Sequence, residues 1–311
     1  MAGAPSLSAI AGNSRRTARR AGQTARALTE SKPVQFLARF GYVVRGVIYL
    51  VPGVLALRLA LGLQGAAMAP TGTIAMIGRQ PFGHALLLVV LAGLVGYASW
   101  GLMRALLDPL GRGDSPQGLG RRFGYAMSAL AYMSFVVFTI HVLEGSSSQG
   151  GQTQSWAALL LARPLGAWLL GIVGLCWIVF AGASEIALGW SGGFERDLRW
   201  ERMHAREHWW AVRLGRIGIV ARGVIFAVIG FLLIAAALHS NPQRAGGMGE
   251  ALEEIARQPF GRTLLAAAAA GLVVFGLFSM MCARWMRTRS TGSHRPTLSS
   301  PQPREARHGR I

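Results

Sequence analysis

The sequence predicts an all-α integral membrane protein: six transmembrane helices built as three tandem, same-orientation two-helix repeats in a pseudo-threefold arrangement. Three observations lead there. Six apolar runs, residues 40–63, 83–107, 123–143, 164–188, 217–239 and 260–284, each approach the ~20 residues a helix needs to cross ~30 Å of hydrocarbon. The segments between the runs alternate sharply in positive charge. A short signature returns three times at nearly constant spacing. Composition agrees, since 52% of the residues are apolar and 14% charged, well below the roughly 25% charged of soluble proteins. An ordinary soluble enzyme is therefore excluded.

In chain order, residues 1–39 hold seven basic residues among Gly, Ala and Ser and predict a disordered cytoplasmic tail. They contain no apolar core with a cleavage site, so the first run is expected to remain as an anchor. The runs must span as helices, because backbone polar groups in lipid need partners within the segment. The alternating ten-residue runs of a barrel are absent. The N-tail, the 108–122 loop, the 189–216 linker and the tail from 285 carry 7, 3, 6 and 6 Lys/Arg. Loops 64–82, 144–163 and 240–259 carry 1, 1 and 2. By the positive-inside rule both termini are cytoplasmic. The net charge of +19 is thereby juxtamembrane charge facing anionic headgroups, which argues against nucleic acid. Glu195 to Arg216 mixes charge with Trp200, Trp209 and Trp210 and predicts a cytoplasmic interfacial helix. The Ser/Pro/Arg-rich residues 285–311 predict a disordered cytoplasmic tail.

The repeat is visible in GYVVRGVIYL from Gly41, GYAMSALAY from Gly124 and GIVARGVIF from Gly218. Arg45, Ser128 and Arg222 occupy equivalent places. About forty residues later each unit reaches a proline: Pro81 and Pro259 in RQPFG, Pro164 in ARPLG. The units are 40–107, 123–188 and 217–284. Each comprises a helix, an outer loop with a short amphipathic helix, a proline re-entry and a second helix. Proline is expected in the first turn of that second helix, where its missing N–H costs nothing. Two crossings per unit give all three one orientation, unlike the inverted repeats of many transporters. The P-x-[DE]-x-x-[KR] signature of mitochondrial carriers, which also stack three two-helix units, is missing.

The repeated R-x-G-Y-x-x-R-G-V-x-Y and Q-P-F-G patterns resemble the bacterial membrane proteins grouped as the domain of unknown function 1206 family. The resemblance covers residues 36–288. The middle unit departs from it at Ser128 and in ARPLG. It implies a six-helix protein of the bacterial inner membrane and carries no established activity, so no catalytic residue transfers.

Among candidate site residues, Arg45 and Arg222 lie near the cytoplasmic ends of their helices. They either snorkel to headgroups or face the bundle and pair with Glu185, the only carboxylate well inside a span. Arg58 and His141 are possible polar residues of an outer mouth. Gly46 with Gly53, and Gly223 with Gly230, are seven residues apart and notch one helix face for close packing. Pro52 is expected to kink the first helix. Cys176 and Cys282, inside apolar runs, are expected to be inert packing residues. HAREH (His204 to His208) matches a zinc-protease spacing but lies in a charged loop with no evident third ligand. GWSG (Gly189 to Gly192) resembles an intramembrane-protease serine motif, yet the sixth span lacks a histidine base. No enzyme activity, cofactor or metal is expected. The expected partner is the bilayer, with anionic headgroups at the cytoplasmic face; a protein partner or homo-oligomer stays open. The functional expectation is a membrane-organising or partner-binding protein. The alternative is a small-solute or ion transporter or channel lined by Arg45, Arg58, Glu185 and Arg222.

Overall fold

A computed structural model describes residues 31–109, 115–145 and 152–287. The expected tails therefore lie outside the described residues, except where they adjoin a helix. Nine helices form among the described residues: α1 (Lys32–Ala60), α2 (Pro70–Gly78), α3 (Gly83–Leu106), α4 (Pro116–Leu143), α5 (Gln152–Leu161), α6 (Gly166–Ser191), α7 (Ala205–Leu238), α8 (Met248–Arg257) and α9 (Gly261–Trp285). The six long ones, α1, α3, α4, α6, α7 and α9, are apolar enough to cross a membrane. The short α2, α5 and α8 precede the three prolines.

Helix boundaries obey local chemistry more than hydropathy. α1 begins eight residues before its apolar run, with Pro33 in its first turn. Residues 32–39 thus belong to the helix, where Phe36 stacks on Phe40 at 6.4 Å. α1 also runs on through Pro52. α4 starts at Pro116 because the Ser115 hydroxyl accepts from the Gly118 N–H at 3.2 Å. The 189–216 linker is not one interfacial helix. It forms two 3₁₀ turns, Gly193–Asp197 and Trp200–Arg202, before α7 begins at Ala205. The Glu207 carboxylate caps that start by accepting from the His204 N–H at 3.0 Å. The helix then continues unbroken for 34 residues, about 51 Å of rise.

The proline turn is the same in all three units. The prolines sit just outside the helix rather than in its first turn, because the bend uses the next residue. Phe82, Leu165 and Phe260 adopt left-handed φ values of 60°, 63° and 61°. Glycine must come next: a Cβ on Gly83, Gly166 or Gly261 would fall 2.1, 1.9 or 1.9 Å from the carbonyl oxygen of Gly78, Leu160 or Ala256.

The first helix of each unit packs along the second helix of the preceding unit: α4 on α3, α7 on α6, and α1 on α9. Small residues set each contact. A Cβ on Gly46 would lie 2.9 Å from the Gly276 carbonyl, and one on Gly223 3.0 Å from that of Gly182. Ala129, at the equivalent place in α4, faces Gly101. Gly53 and Gly230 abut the α9 and α6 backbones at Val273 and Gly174 in the same way. Without a hydrophobic drive between helices in lipid, such close approach is what dispersion requires.

Within units, the pattern breaks. α1 packs on α3 and α7 on α9, but α4 and α6 share no extended face among the described residues. A Cβ on Gly41 would fall 2.6 Å from the Tyr97 nitrogen, and one on Gly218 2.7 Å from that of Phe275. A Cβ on Gly124 would meet nothing within 4 Å. Gly93 and Gly271, which receive Val44 and Ala221, are matched in α6 by Cys176. That cysteine is exposed rather than packed, whereas Cys282 is buried. The α4–α6 boundary is a seam, touched where Phe123 meets Phe180 at 5.6 Å between rings.

Candidate functional site

The three equivalent positions, Arg45, Ser128 and Arg222, converge in the bundle interior. Arg45 Nη1 donates to the Tyr97 hydroxyl at 2.6 Å. Arg222 forms an ion pair with Glu185. The two guanidiniums share one ring, with Arg45 Cζ 4.6 Å and Arg222 Cζ 4.3 Å from the centroid of Phe275. The Tyr97 ring lies 4.9 Å from Arg45 Cζ, and the Phe226 ring 5.1 Å from Arg222 Cζ. Such cation–π contacts are stronger where water is excluded.

Of the expected polar cluster, Arg222 and Glu185 are thus paired, while Arg45 turns to Tyr97 instead. The pairing uses Glu185 Oε1, on the α7 side, and leaves Oε2 without a partner. A π-helical stretch, Trp177–Ala183, ends just before Glu185. The extra residue in a π turn rotates the rest of the helix by about 100°, and this turns Glu185 toward Arg222. The Ser184 hydroxyl hydrogen-bonds back to the Phe180 carbonyl within this region. No other π segment occurs among the described residues.

Several donors in this centre have no partner. Arg45 Nε, Arg222 Nε, the Tyr132 hydroxyl and Trp177 Nε1 are buried without a hydrogen bond, as is the acceptor Glu185 Oε2. Tyr132 is on α4 and Trp177 on α6, so each seam helix contributes one. Buried donors without acceptors are costly, and here donors outnumber the single spare carboxylate oxygen.

Arg58 and His141 do not join this centre. Both are exposed near the last turns of α1 and α4. At one end of the bundle the starts of the short helices meet: Gly249 of α8 lies against Ala69 at the α2 cap, and Gly247 against the Thr153 hydroxyl of α5. At the opposite end, the 3₁₀ linker is tied across the helix mouths. Arg199 donates its N–H to the Trp285 carbonyl at 2.8 Å, and Arg287 to that of Asp197 at 2.8 Å. Arg121 reaches the Gly193 carbonyl and the Tyr125 hydroxyl reaches Asp197, binding α4 to the linker. Glu201 forms an ion pair with Arg287.

Sequence reasoning missed Arg104, buried on α3 with Cζ 4.2 Å from the Tyr125 ring. It also missed the tyrosines. The chain has five, and all five rings lie within 6 Å of an arginine Cζ in a span: Tyr42, Tyr97 and Tyr132 at Arg45, Tyr49 at Arg222, Tyr125 at Arg104. Their confinement to α1, α3 and α4 was the available signal. In HAREH, Glu207 is a helix cap. Among the described residues, no three His, Cys, Asp or Glu side chains stand close enough to hold a metal ion.

These features define a multi-pass membrane protein of three tandem two-helix units around intramembrane arginines. The chain belongs to the family described as Domain of Unknown Function (DUF1206), whose pattern matches residues 40–108, 123–190 and 217–286, one match per unit. It is similar to an uncharacterized protein, YxxB, of Bacillus subtilis (strain 168), with 34% identity over 253 residues, 81% of this chain and 91% of the relative. No solved structure matches it.

Proposed function

We propose that this is a non-enzymatic protein of the bacterial inner membrane, with both termini cytoplasmic, that holds an anionic group at the Arg45–Arg222 centre. The charge imbalance carries the reading: two guanidiniums face one carboxylate, with four hydrogen-bond donors to spare. Charged groups inside a span are functional by default, since the bilayer penalises them. The excess of Lys/Arg in the N-tail and the 108–122 and 189–216 segments supports the orientation. It also makes anionic headgroups the expected partner of that face. A binding role, organising lipid or an anionic partner, is favoured over conduction. The short-helix starts meet at one end of the bundle, the linker is hydrogen-bonded to helix ends at the other, and Arg58 stands apart from the centre.

The test is thermal unfolding of the purified full chain in detergent, titrated separately with inorganic phosphate, glycerol phosphate and phosphatidylglycerol. Binding to the folded state stabilises it by about 2.7 kcal/mol at a hundredfold excess over Kd. At least one anion should stabilise the wild type and leave R45Q/R222Q unmoved. Equal response of both proteins to every anion would overturn the reading.

A further inference from the structure

Resting on that reading, we propose that the occupant is an anionic amphiphile of the bilayer, and that its headgroup reaches the arginines sideways, through the seam between α4 and α6. Four observations point the same way.

Among the described residues, the seam is the one boundary of the ring that lacks an extended packed face. Gly124 is open where Gly41 and Gly218 are pressed against the partner helix. Cys176 stands exposed where Gly93 and Gly271 receive a neighbour. Separating α4 from α6 therefore breaks little, whereas separating any other neighbours disrupts close backbone contacts. Elements with few buried contacts are the ones that move.

Among the described residues, elements meet across both ends of the bundle. The α2, α5 and α8 starts meet at one end, and the linker is bonded to α4 and the end of α9 at the other. The flank remains. The two seam helices carry exposed apolar side chains, among them Leu130 at 64% on α4 and Ile172 at 55% and Phe180 at 58% on α6. This suits an acyl chain and excludes a hydrated ion as the species that traverses it.

Two of the unpartnered donors stand on the seam helices. Tyr132 and Trp177 come one from each seam helix. Tyr132 lies under Arg45, with Cζ 5.9 Å from its ring, and Trp177 packs on Phe226, which lies under Arg222. A headgroup phosphate or carboxylate supplies only acceptors, which matches a centre short of acceptors. A zwitterionic headgroup such as choline phosphate brings its own cation beside the phosphate, which two arginines repel.

Finally, the departures of the middle unit fall together. Ser128 replaces the third arginine, Cys176 the glycine, and the π stretch is in α6. A third arginine at position 128 would place another charge on α4, at the seam. Serine leaves that side neutral.

The experiment uses the full chain with C176A and C282A, in nanodiscs of phosphatidylcholine with or without phosphatidylglycerol. Bound lipid is read by native mass spectrometry. A variant carrying F123C and F180C is compared before and after bridging by a short bis-methanethiosulfonate, in which each cysteine thiolate displaces a methanesulfinate and forms a disulfide that a reductant later cleaves. The unbridged protein should retain phosphatidylglycerol about tenfold better than phosphatidylcholine, or about 1.4 kcal/mol. Bridging should slow its exchange at least as much, and cleavage of the bridge should restore it. R45K should retain the lipid and R45Q/R222Q lose it. Exchange unchanged by the bridge overturns the sideways route. Glycerol phosphate competing as well as the whole lipid overturns the amphiphile while leaving the anion site standing. Loss of neither lipid nor glycerol phosphate in R45Q/R222Q overturns the anion site itself.

Discussion

At Gly41 and Gly218 the first helix of a unit lies so close to the second that a methyl group would collide with backbone, while at Gly124, the same residue in the same motif, space is open. The outer units are closed hairpins and the middle one is parted, though all three share the proline turn and the packing against the preceding unit. A repeated sequence has thus kept its between-unit contacts and relaxed one within-unit contact. In solenoid-like stacks each interface contributes separately, so one can be weakened without unfolding the rest. Here the weakened one flanks the arginine centre.

The largest expected effect separates the units by sign. G41A and G218A should each cost about 3 kcal/mol through overpacking against backbone. G124A should stabilise by up to about 1 kcal/mol, as alanine does over glycine in an unobstructed helix. Thermal unfolding in one detergent measures all three, and a loss at Gly124 matching that at Gly41 would mean the seam is closed.

Next comes the ion pair tying the middle unit to the third. E185Q should destabilise by about 3 kcal/mol, because Arg222 is left buried and unpaired, while E185M/R222M should recover most of it. A recovery of nothing would show that the pair is not what joins the two helices. Within the first unit, Y97F removes the acceptor of the Arg45 hydrogen bond and should cost about 2 kcal/mol. S128A should cost well under half that, and a cost equal to that of Y97F would show that Ser128 holds the Arg45 centre as firmly as Tyr97 does.

The smallest effect should be common to all units. F82G, L165G and F260G each relieve a left-handed φ and should stabilise by about 1 kcal/mol or less. A divergent result at Leu165 would extend the middle unit's departure to its turn.

Much of this fold was legible because run length and charge bias act locally: six spans and the proline spacing needed no knowledge of neighbours. Glu185 and Arg222 could be singled out for the same reason, as charges inside apolar runs. The acceptor of Arg45 was not legible. Tyr97 is 52 residues away, and nothing in GLVGY says which helix it faces. Nor was the seam, since GYAMSALAY carries the same glycine as its siblings and only the missing neighbour distinguishes it. Cys176 reads as a packing residue from its apolar surroundings, but those surroundings are the flank facing lipid. The π stretch left no mark in composition at all.

The parted middle unit is tested most directly by pulsed electron–electron resonance on spin labels at Leu130 and Ile172, exposed on α4 and α6. A control pair at Val43 and Val95, exposed on α1 and α3, reports a packed unit. In nanodiscs, the seam pair should give a broader distance distribution than the control, and it alone should shift when phosphatidylglycerol replaces phosphatidylcholine. A seam distribution as narrow as the control's, and indifferent to the lipid, would contradict the account.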